Sequence, residues 1–392
     1  MYSLEEVKAY VMQEDVKFIR LAFCDILGRQ KNISIMPQEL DRAFSGGVCF
    51  DASAVYGLPR EKSDLVLQPD PSTLTILPWR PHTGKVARMF CDITYPDGTA
   101  FEYNGRNLLK TAVAEAQQMG FTFHFGTEFE FYLFNLDEHG MPTKIPYDNA
   151  GYMDVYPLDR GENVRREICL TLYDMGVMPE SSHHEEGPSQ HEVAFKYTTP
   201  LIAADNAVTA KSVIETVASR NGLYADFSPK PLTYESGSGL HINLSIVSAD
   251  EKDHTDNMIA GLLAHIKELT LFLNSTENSY ERLGKKKAPE YIAWAPESRT
   301  PLIRIPAAGG IYKRIELRSP DATLNPYIAY ALIIYAALDG IKKNMSAGNP
   351  IQGNACTDIQ RLPQSLEEAR TAAENSMFLK NLLPPDFIHF YH

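Results

Sequence analysis

Acidic residues spaced two apart inside apolar, strand-like runs constrain this chain more than any other feature. They begin with Gly126-Thr127-Glu128-Phe129-Glu130-Phe131-Tyr132-Leu133-Phe134. Strand side chains alternate between faces, so Glu128 and Glu130 share one face while Phe129, Phe131 and Leu133 share the other. Two neighbouring carboxylates on a largely covered strand repel each other unless a positive group lies between them. The simplest such group is a divalent metal ion.

The pattern recurs. Gln190 and Glu192 share a face in Ser189-Gln190-His191-Glu192-Val193-Ala194-Phe195. His241, Asn243 and Ser245 oppose Leu240, Ile242, Leu244 and Ile246, and Arg314, Glu316 and Arg318 oppose Ile315 and Leu317. Arg304 stands between Ile303 and Ile305. If the apolar faces pack beneath helices, the polar faces line one cavity rich in carboxylates, with one imidazole and several arginines. Such oxygen-rich ligation selects Mg²⁺ or Mn²⁺ over zinc. Arginine forks beside these ions suit phosphate and carboxylate groups, which is the equipment of phosphoryl transfer. The absence of GxxxxGK[ST] rules out a P-loop nucleotide site. Taken one at a time, each polar face also reads as an ordinary solvated strand face, and His183-His184 as a loop without ligands.

A formal net charge of −13 without a Lys/Arg-rich block argues against nucleic acid as a partner. The 392 residues, 44% hydrophobic and 22% charged, have globular composition and allow two or three domains. Five scattered cysteines (Cys24, Cys49, Cys91, Cys169, Cys356), odd in number and without a CxxC pair, read as buried thiols in a reducing cytosol. The N-terminus has neither a basic start nor an apolar core, so it is not read as a signal peptide, and a cytoplasmic location is expected. Ser3-x-x-Glu6 reads as a capping box opening a first helix at 4–13. The longest apolar run, 327–338, is too short to span a bilayer and reads as a buried helix, so no membrane is expected.

Residues 1 to about 100 read as a small α/β unit with a hairpin formed by 16–23 and 32–35 around the turn 25–29. Pro- and Asp-rich punctuation follows at Gln68-Pro69-Asp70-Pro71 and Pro78-Trp79-Arg80-Pro81. Beyond it, periodicity predicts helices at 106–119, 162–176, 202–222, 256–274 and 325–343. Strands are predicted near 121–134, 190–195, 240–246, 302–305 and 313–318. The economical architecture is α+β, with an N-terminal domain at 1–102 and a larger catalytic domain at 103–392.

At these residues the chain resembles the glutamine synthetase family in its bacterial and archaeal type I form, over about 15–375. The ordered motifs are Glu128-x-Glu130, His183-His184-Glu185, Gln190-His191-Glu192, Gly237-Ser238-Gly239-Leu240-His241 and Asn278-Ser279-Tyr280-x-Arg282-Leu283. Arg299-x4-Arg304-Ile305-Pro306 and Arg314-Ile315-Glu316-x-Arg318-x-Pro320-Asp321 complete them. The resemblance implies a β-grasp-like N-terminal domain and a catalytic domain with a curved antiparallel sheet, a partial barrel, covered by helices. It implies two metals, Mg²⁺ or Mn²⁺, the first held by Glu130, Glu185 and Glu192 and the second by Glu128, His241 and Glu316. Arg299 and Arg304 would face the transferred phosphoryl group, with His241 and Ser245 on the nucleotide side and Ser245 near the adenine. Arg282 and Arg318 would hold glutamate, near Gly237 and Ser236. Asp51 would reach into a neighbouring subunit's site, with Tyr152 and Glu185 beside the ammonium. The implied assembly is a homo-oligomer of hexameric rings or a dodecamer. The implied reaction ligates ammonia to glutamate with ATP, through γ-glutamyl phosphate.

The departures concentrate on the amine side. Lys287 stands where the family's flap carries a glutamate, Ser236 where it carries an asparagine, and Ala54 where the latch loop carries a serine. The C-terminal stretch 381–392 reads as shortened, and 354–357 lacks the tyrosine that some members modify. Three readings follow: a glutamate–ammonia ligase, a γ-glutamyl ligase for an alkylamine or polyamine, and a non-catalytic paralogue.

Overall fold

The computed structural model describes residues 3–58, 63–80, 82–307, 309–310, 313–351 and 359–391. Met1, Tyr2, Pro81, Cys356 and the stretch 354–357, all used in the sequence reading, lie outside the described residues.

The chain opens on α1 (Leu4–Gln13), and the capping box is present. Ser3 N–H donates to Glu6 Oε2 at 2.6 Å and Glu6 N–H donates to Ser3 Oγ at 3.2 Å. Strands β1 (Val16–Cys24) and β2 (Gln30–Ile35) form the expected hairpin. In its turn Asp25 Oδ1 accepts from Leu27 N–H at 3.1 Å and Arg29 N–H at 2.9 Å. Helix α2 (Leu40–Gly46), β3 (Val48–Asp51), β4 (Asp64–Pro69), β5 (Thr75–Ile76) and β6 (Lys85–Thr94) complete the unit. The six strands run in the order β2-β1-β6-β4-β3, with β5 on β6 and only the β1–β6 pair parallel. The punctuated sequence after residue 50 therefore holds more strands than alternation revealed. Cys24 and Cys91 are buried as expected, but Cys49 is exposed, because β3 is an edge strand with one face toward solvent.

The larger unit follows the predicted alternation of helix and strand. Its elements are α3 (Gly105–Gln118), β7 (Phe121–Leu136), β8 (Pro142–Pro146), α4 (Glu162–Asp174), β9 (Pro179–His184), β10 (Gln190–Phe195), α5 (Pro200–Arg220), β11 (Leu223–Asp226) and β12 (Leu240–Ser248). Then come α6 (Thr255–Leu273), α7 (Glu277–Arg282), β13 (Trp294–Pro296), β14 (Ile303–Ile305), β15 (Ile315–Leu317), α8 (Pro326–Lys342), α9 (Leu366–Asn375) and α10 (Met377–Leu382). Nine strands form one sheet in the order β13-β14-β15-β12-β7-β10-β9, with β8 and β11 also on β7. Every pairing is antiparallel except β13–β14.

One face of this sheet is largely apolar: Phe123, Phe125, Phe129, Phe131, Leu133, Leu240, Ile242 and Leu317 are all buried under the helices, with the buried Thr127 and His191 among them. Helix α8, predicted as a buried segment, is covered from Pro326 to Leu338. Among the described residues no helix is long and apolar enough to cross a membrane. A buried guanidinium ties the small sheet to the helices of the larger unit. Arg106, in the first turn of α3, bonds Asp92 of β6 at 2.6 Å, Asp70 at 2.7 Å and Asp205 of α5 at 3.1 Å.

Candidate active site

The opposite, polar face of the large sheet brings the alternating residues together, and strand register decides which meet. Along β7–β10, Glu130 stands opposite Glu192, and along β10–β9, Glu192 stands opposite His183. Along β7–β12, Glu128 stands opposite His241. Glu316 pairs with Asn243 on one side and Arg304 on the other. A single slip of β12 would turn His241 into the apolar layer, so the apolar face enforces the polar constellation.

On this face, three groups of oxygen and imidazole donors among the described residues lie within ligating reach of one another: Glu128, His241 and Glu316; Glu130, Glu192 and His241; and His183, Glu185 and Glu192. The first is the triad expected for the second metal. Glu130, Glu185 and Glu192, expected around the first, split between the other two groups, which share Glu192. His183 joins them; it lies at the end of β9, not in a loop.

The electrostatics of these groups calls for cations. His241 Nδ1 is 3.3 Å from Glu128 Oε2 and 3.7 Å from Glu316 Oε1, and its Nε2 is 3.8 Å from Glu130 Oε1. Burial works to raise the Glu128 pKa, but hydrogen bonds from His241 and Asn243 outweigh it and hold the carboxyl at about 2. Glu192 is pushed well above the carboxylate range, by burial first and then by Glu128, Glu130, Glu185 and Glu316. Five carboxylates converge on a half-closed space, and Arg304 and Arg318 are the guanidiniums bound there, both to Glu316: Arg304 at 2.7 Å and Arg318 by a short contact. This donor set fits hard divalent ions.

In front of these groups opens a cavity of about 340 Å³ lined by Glu130, Tyr152, Glu185, Glu186, Gln190, Glu192, Ser236, Gly237, His241, Arg282, Arg299, Arg318 and the segment Lys285-Lys286-Lys287-Ala288. Gly239 N–H donates to Glu130 Oε2 at 2.7 Å, fixing that carboxylate. Arg282 is buried, and donates to the Ser319 carbonyl at 2.8 Å and the Arg318 carbonyl at 3.1 Å. Glu185 Oε1 contacts His183 Nε2 at 3.0 Å; burial favours its neutral form, yet His183 and the Glu186 N–H keep its pKa low. The turn after it admits only glycine at 187, because a Cβ there would lie 2.0 Å from the Tyr132 hydroxyl oxygen.

Residues 102–392 match the family model described as glutamine synthetase, catalytic domain, and residues 15–96 match the one described as glutamine synthetase, beta-grasp domain. The chain belongs to the glutamine synthetase family. Glutamine synthetase of Methanosarcina mazei is 45% identical, covering 97% of this chain and 90% of its own length. That of Clostridium saccharobutylicum is 42% identical, covering 97% and 91%. A solved structure described as GmaS in complex with ADP superposes with a TM-score of 0.89 at 29% identity, covering 98% of this chain and 94% of its own. The α+β fold with a β-grasp N-terminal domain and a curled half-barrel sheet is thus that of the glutamine synthetases, and the chain is a ligase of that type. Glutamine synthetases use divalent metal ions and ATP, and the clustered carboxylates and imidazoles fit the metal part.

Two expected site residues lie away from the cavity within this chain. Asp51 sits exposed at the end of edge strand β3, where it accepts from Ser53 N–H at 2.9 Å and Ser53 O–H at 2.6 Å. Ser245 faces a small crevice formed with His124, Tyr197, Asn243, Lys313 and Arg314, further along β12. Arg299 is exposed at the cavity rim. Sequence reasoning missed Glu186. It lies outside the strands, so alternation could not flag it; the signal was the doubled acid Glu185-Glu186 before a glycine.

Proposed function

We propose that this glutamine synthetase-type ligase joins ammonia to the γ-carboxylate of glutamate at the expense of ATP, through γ-glutamyl phosphate. The observation that supports it is the convergence of Glu128, Glu130, Glu185, Glu192, Glu316 and His241 beside Arg304, Arg318, Arg282 and Arg299. Glu128, His241 and Glu316 would hold one Mg²⁺ or Mn²⁺, and Glu130, Glu185 and Glu192, with His183 close by, the other. Bound there, the ions supply charge neutralisation for the phosphates.

In this reading Arg318 and Arg282, with Gly237 and Ser236, position glutamate so that its γ-carboxylate oxygen attacks the terminal phosphorus and ADP leaves. Arg304 and Arg299 stabilise charge on the transferred group. The amine nitrogen then attacks the acyl carbon, phosphate departs, and the amine's proton passes to a carboxylate on the Tyr152 and Glu185 side. His241 and Ser245 would bound the nucleotide side; a nucleotide site in this fold is supported by the GmaS relative solved with ADP. Asp51, remote from its own chain's cavity, would act in a neighbour's site within a hexameric ring or dodecamer in the cytoplasm, with 1–102 and 103–392 as the two domains.

A second reading has its own observation: Lys287 in the cavity wall, together with Ser236 and Ala54, favours a γ-glutamyl ligase for an alkylamine or polyamine. Phosphate release by the purified protein with Mg²⁺, ATP and glutamate, on adding ammonium or each of a panel of amines, tests both. Release with ammonium supports the first reading. Silence with ammonium and release with a larger amine replaces it with the second. Silence with every amine defeats both.

A further inference from the structure

Lys287 is a primary alkylammonium held inside the cavity that, on the ligase reading above, receives an amine. Its Nζ lies 2.6 Å from Glu186 Oε1 and 5.5 Å from the centre of the Tyr152 ring. A carboxylate on one side and an aromatic face on the other is the recognition chemistry of an ammonium cation. The rest of this seat is built. The Ser236 hydroxyl donates to Glu186 Oε2 at 3.3 Å, and the Tyr152 ring stands edge-on to His183 with centroids 5.4 Å apart.

The loop carrying Lys287 is strapped over the cavity by its own bonds. Gly284 N–H donates to the Pro289 carbonyl at 3.1 Å, Ala288 N–H to the Lys285 carbonyl at 2.9 Å, and Arg318 to the Lys287 carbonyl at 3.4 Å. The Lys287 backbone is therefore anchored while its side chain remains about half exposed. Four methylenes joined by single bonds can swing the ammonium out of the seat without opening the loop.

We propose that Glu186 and Tyr152 form the seat for the acceptor, that the acceptor enters as a protonated primary amine, and that Lys287 is a tethered competitor it must displace. This inference rests on the ligase reading and adds its acceptor subsite. The opposition of charges also accounts for a lysine at this place in an amine-handling site: its charge is matched by Glu186 and does not confront the incoming cation while the seat is filled. Removing Lys287 leaves Glu186 open to a free cation. Because the ion pair is partly solvated, its competition is modest, and removing it should tighten amine binding by roughly two- to fivefold.

The test compares KM for ammonium, methylammonium and hydroxylamine, measured as glutamate- and ATP-dependent phosphate release, in wild type, Lys287→Met and Lys287→Met/Glu186→Gln. Hydroxylamine is uncharged near neutral pH and has no need of a cation seat. The expected result is that KM for the protonated amines, relative to that for hydroxylamine, falls in Lys287→Met and rises again in the double variant. A ratio that stays the same or rises in Lys287→Met overturns the proposal while leaving the ligase reading intact. A crystallographic readout does not depend on turnover. Crystals of Lys287→Met with Mg²⁺, soaked in Rb⁺, a cation close to ammonium in size, should give an anomalous peak between Glu186 and Tyr152 that wild-type crystals lack. No peak there overturns the seat; a peak in a protein that turns over no amine keeps the seat and defeats the ligase reading.

Discussion

Glu130 and Glu192 stand directly opposite each other on neighbouring antiparallel strands, two carboxylates in register on a nine-tenths buried face. Like charges so placed destabilise a sheet, so this pair costs stability unless a cation intervenes. Mg²⁺ or Mn²⁺ should therefore raise the melting temperature, by linkage amounting to about 2.7 kcal/mol at a hundredfold excess over Kd. Glu192→Gln should stabilise the metal-free protein by about 1 kcal/mol and blunt the metal-dependent rise. Calorimetry of both proteins with EDTA and with each metal checks this. Equal metal responses would remove Glu192 from the ligand set.

Arg106 carries the next prediction. It is 3% exposed and bonds three aspartates, Asp70 and Asp92 from the N-terminal unit and Asp205 from helix α5 of the larger one. Burial opposes its charge, but Asp205 first and Asp92 after it outweigh that and raise its pKa further. Arg106→Met keeps the volume and strands the carboxylates, which should cost about 3–5 kcal/mol, read as a fall in the urea midpoint. Arg106→Lys keeps the charge but loses the fork, and should fall between the two.

How far the sequence carried the fold can be judged at particular residues. Period-two alternation located β7, β10, β12, β14 and β15 because each has a mainly apolar face, interrupted by Thr127 on β7 and His191 on β10. It could not reveal β9, whose Pro179-Glu180-Ser181-Ser182-His183-His184 is exposed along much of its length and held mainly by pairing with β10. Nor could it show β3 to β6, where prolines and aspartates that read as punctuation are bonded into the structure. Asp70 caps a turn through Ser72 and binds Arg106. In the site, alternation named the residues on each strand, but only register, a property of two strands together, says that Glu192 faces Glu130 and His183. Glu186, in a loop, had no periodic signal at all.

His265 gives a pH-dependent prediction far from the active site. Its Nδ1 is 2.9 Å from Glu268 Oε1, its Nε2 is 2.8 Å from Asp339 Oδ2, and its ring stacks on Phe378 of α10 at 3.8 Å. Burial lowers its pKa, but the two carboxylates outweigh burial and raise it above 6.5. A raised folded-state pKa gives stability that is complete below the unfolded value and is lost as pH climbs through the folded one. The stability deficit of His265→Gln should thus be largest at about pH 5.5, of order 1 kcal/mol, and shrink by about pH 8.5. Asp339, whose pKa is held low by Lys343 and His265 against burial, sets the acid limit, since its share is lost only as pH falls below 3.8. Chemical denaturation across this range checks it, and a deficit independent of pH would mean that stacking, not charge, holds α10.

Gly261 and Gly340 mark the closest approach of α6 and α8, the two helices beneath the active-site sheet. A Cβ on Gly261 would lie 2.1 Å from the Ala336 carbonyl oxygen, and one on Gly340 would lie 2.1 Å from that of Asn257. Both obstacles are backbone, which cannot rotate away, so either alanine must push the helices apart. Alanine is the better helix former by about 1 kcal/mol, and the overpacking has to exceed that gain. The expected net loss for Gly261→Ala is about 1–3 kcal/mol. The double variant should cost less than the sum of the singles, because one separation relieves both clashes. Since α8 also supports Phe125 of β7, whose ring stacks on Tyr330 at 4.5 Å, the displacement should reach the strand carrying Glu128 and Glu130. Metal-dependent stabilisation should therefore weaken in Gly261→Ala, and an undiminished metal response in a destabilised variant would show that the sheet holds its register without the helix pair.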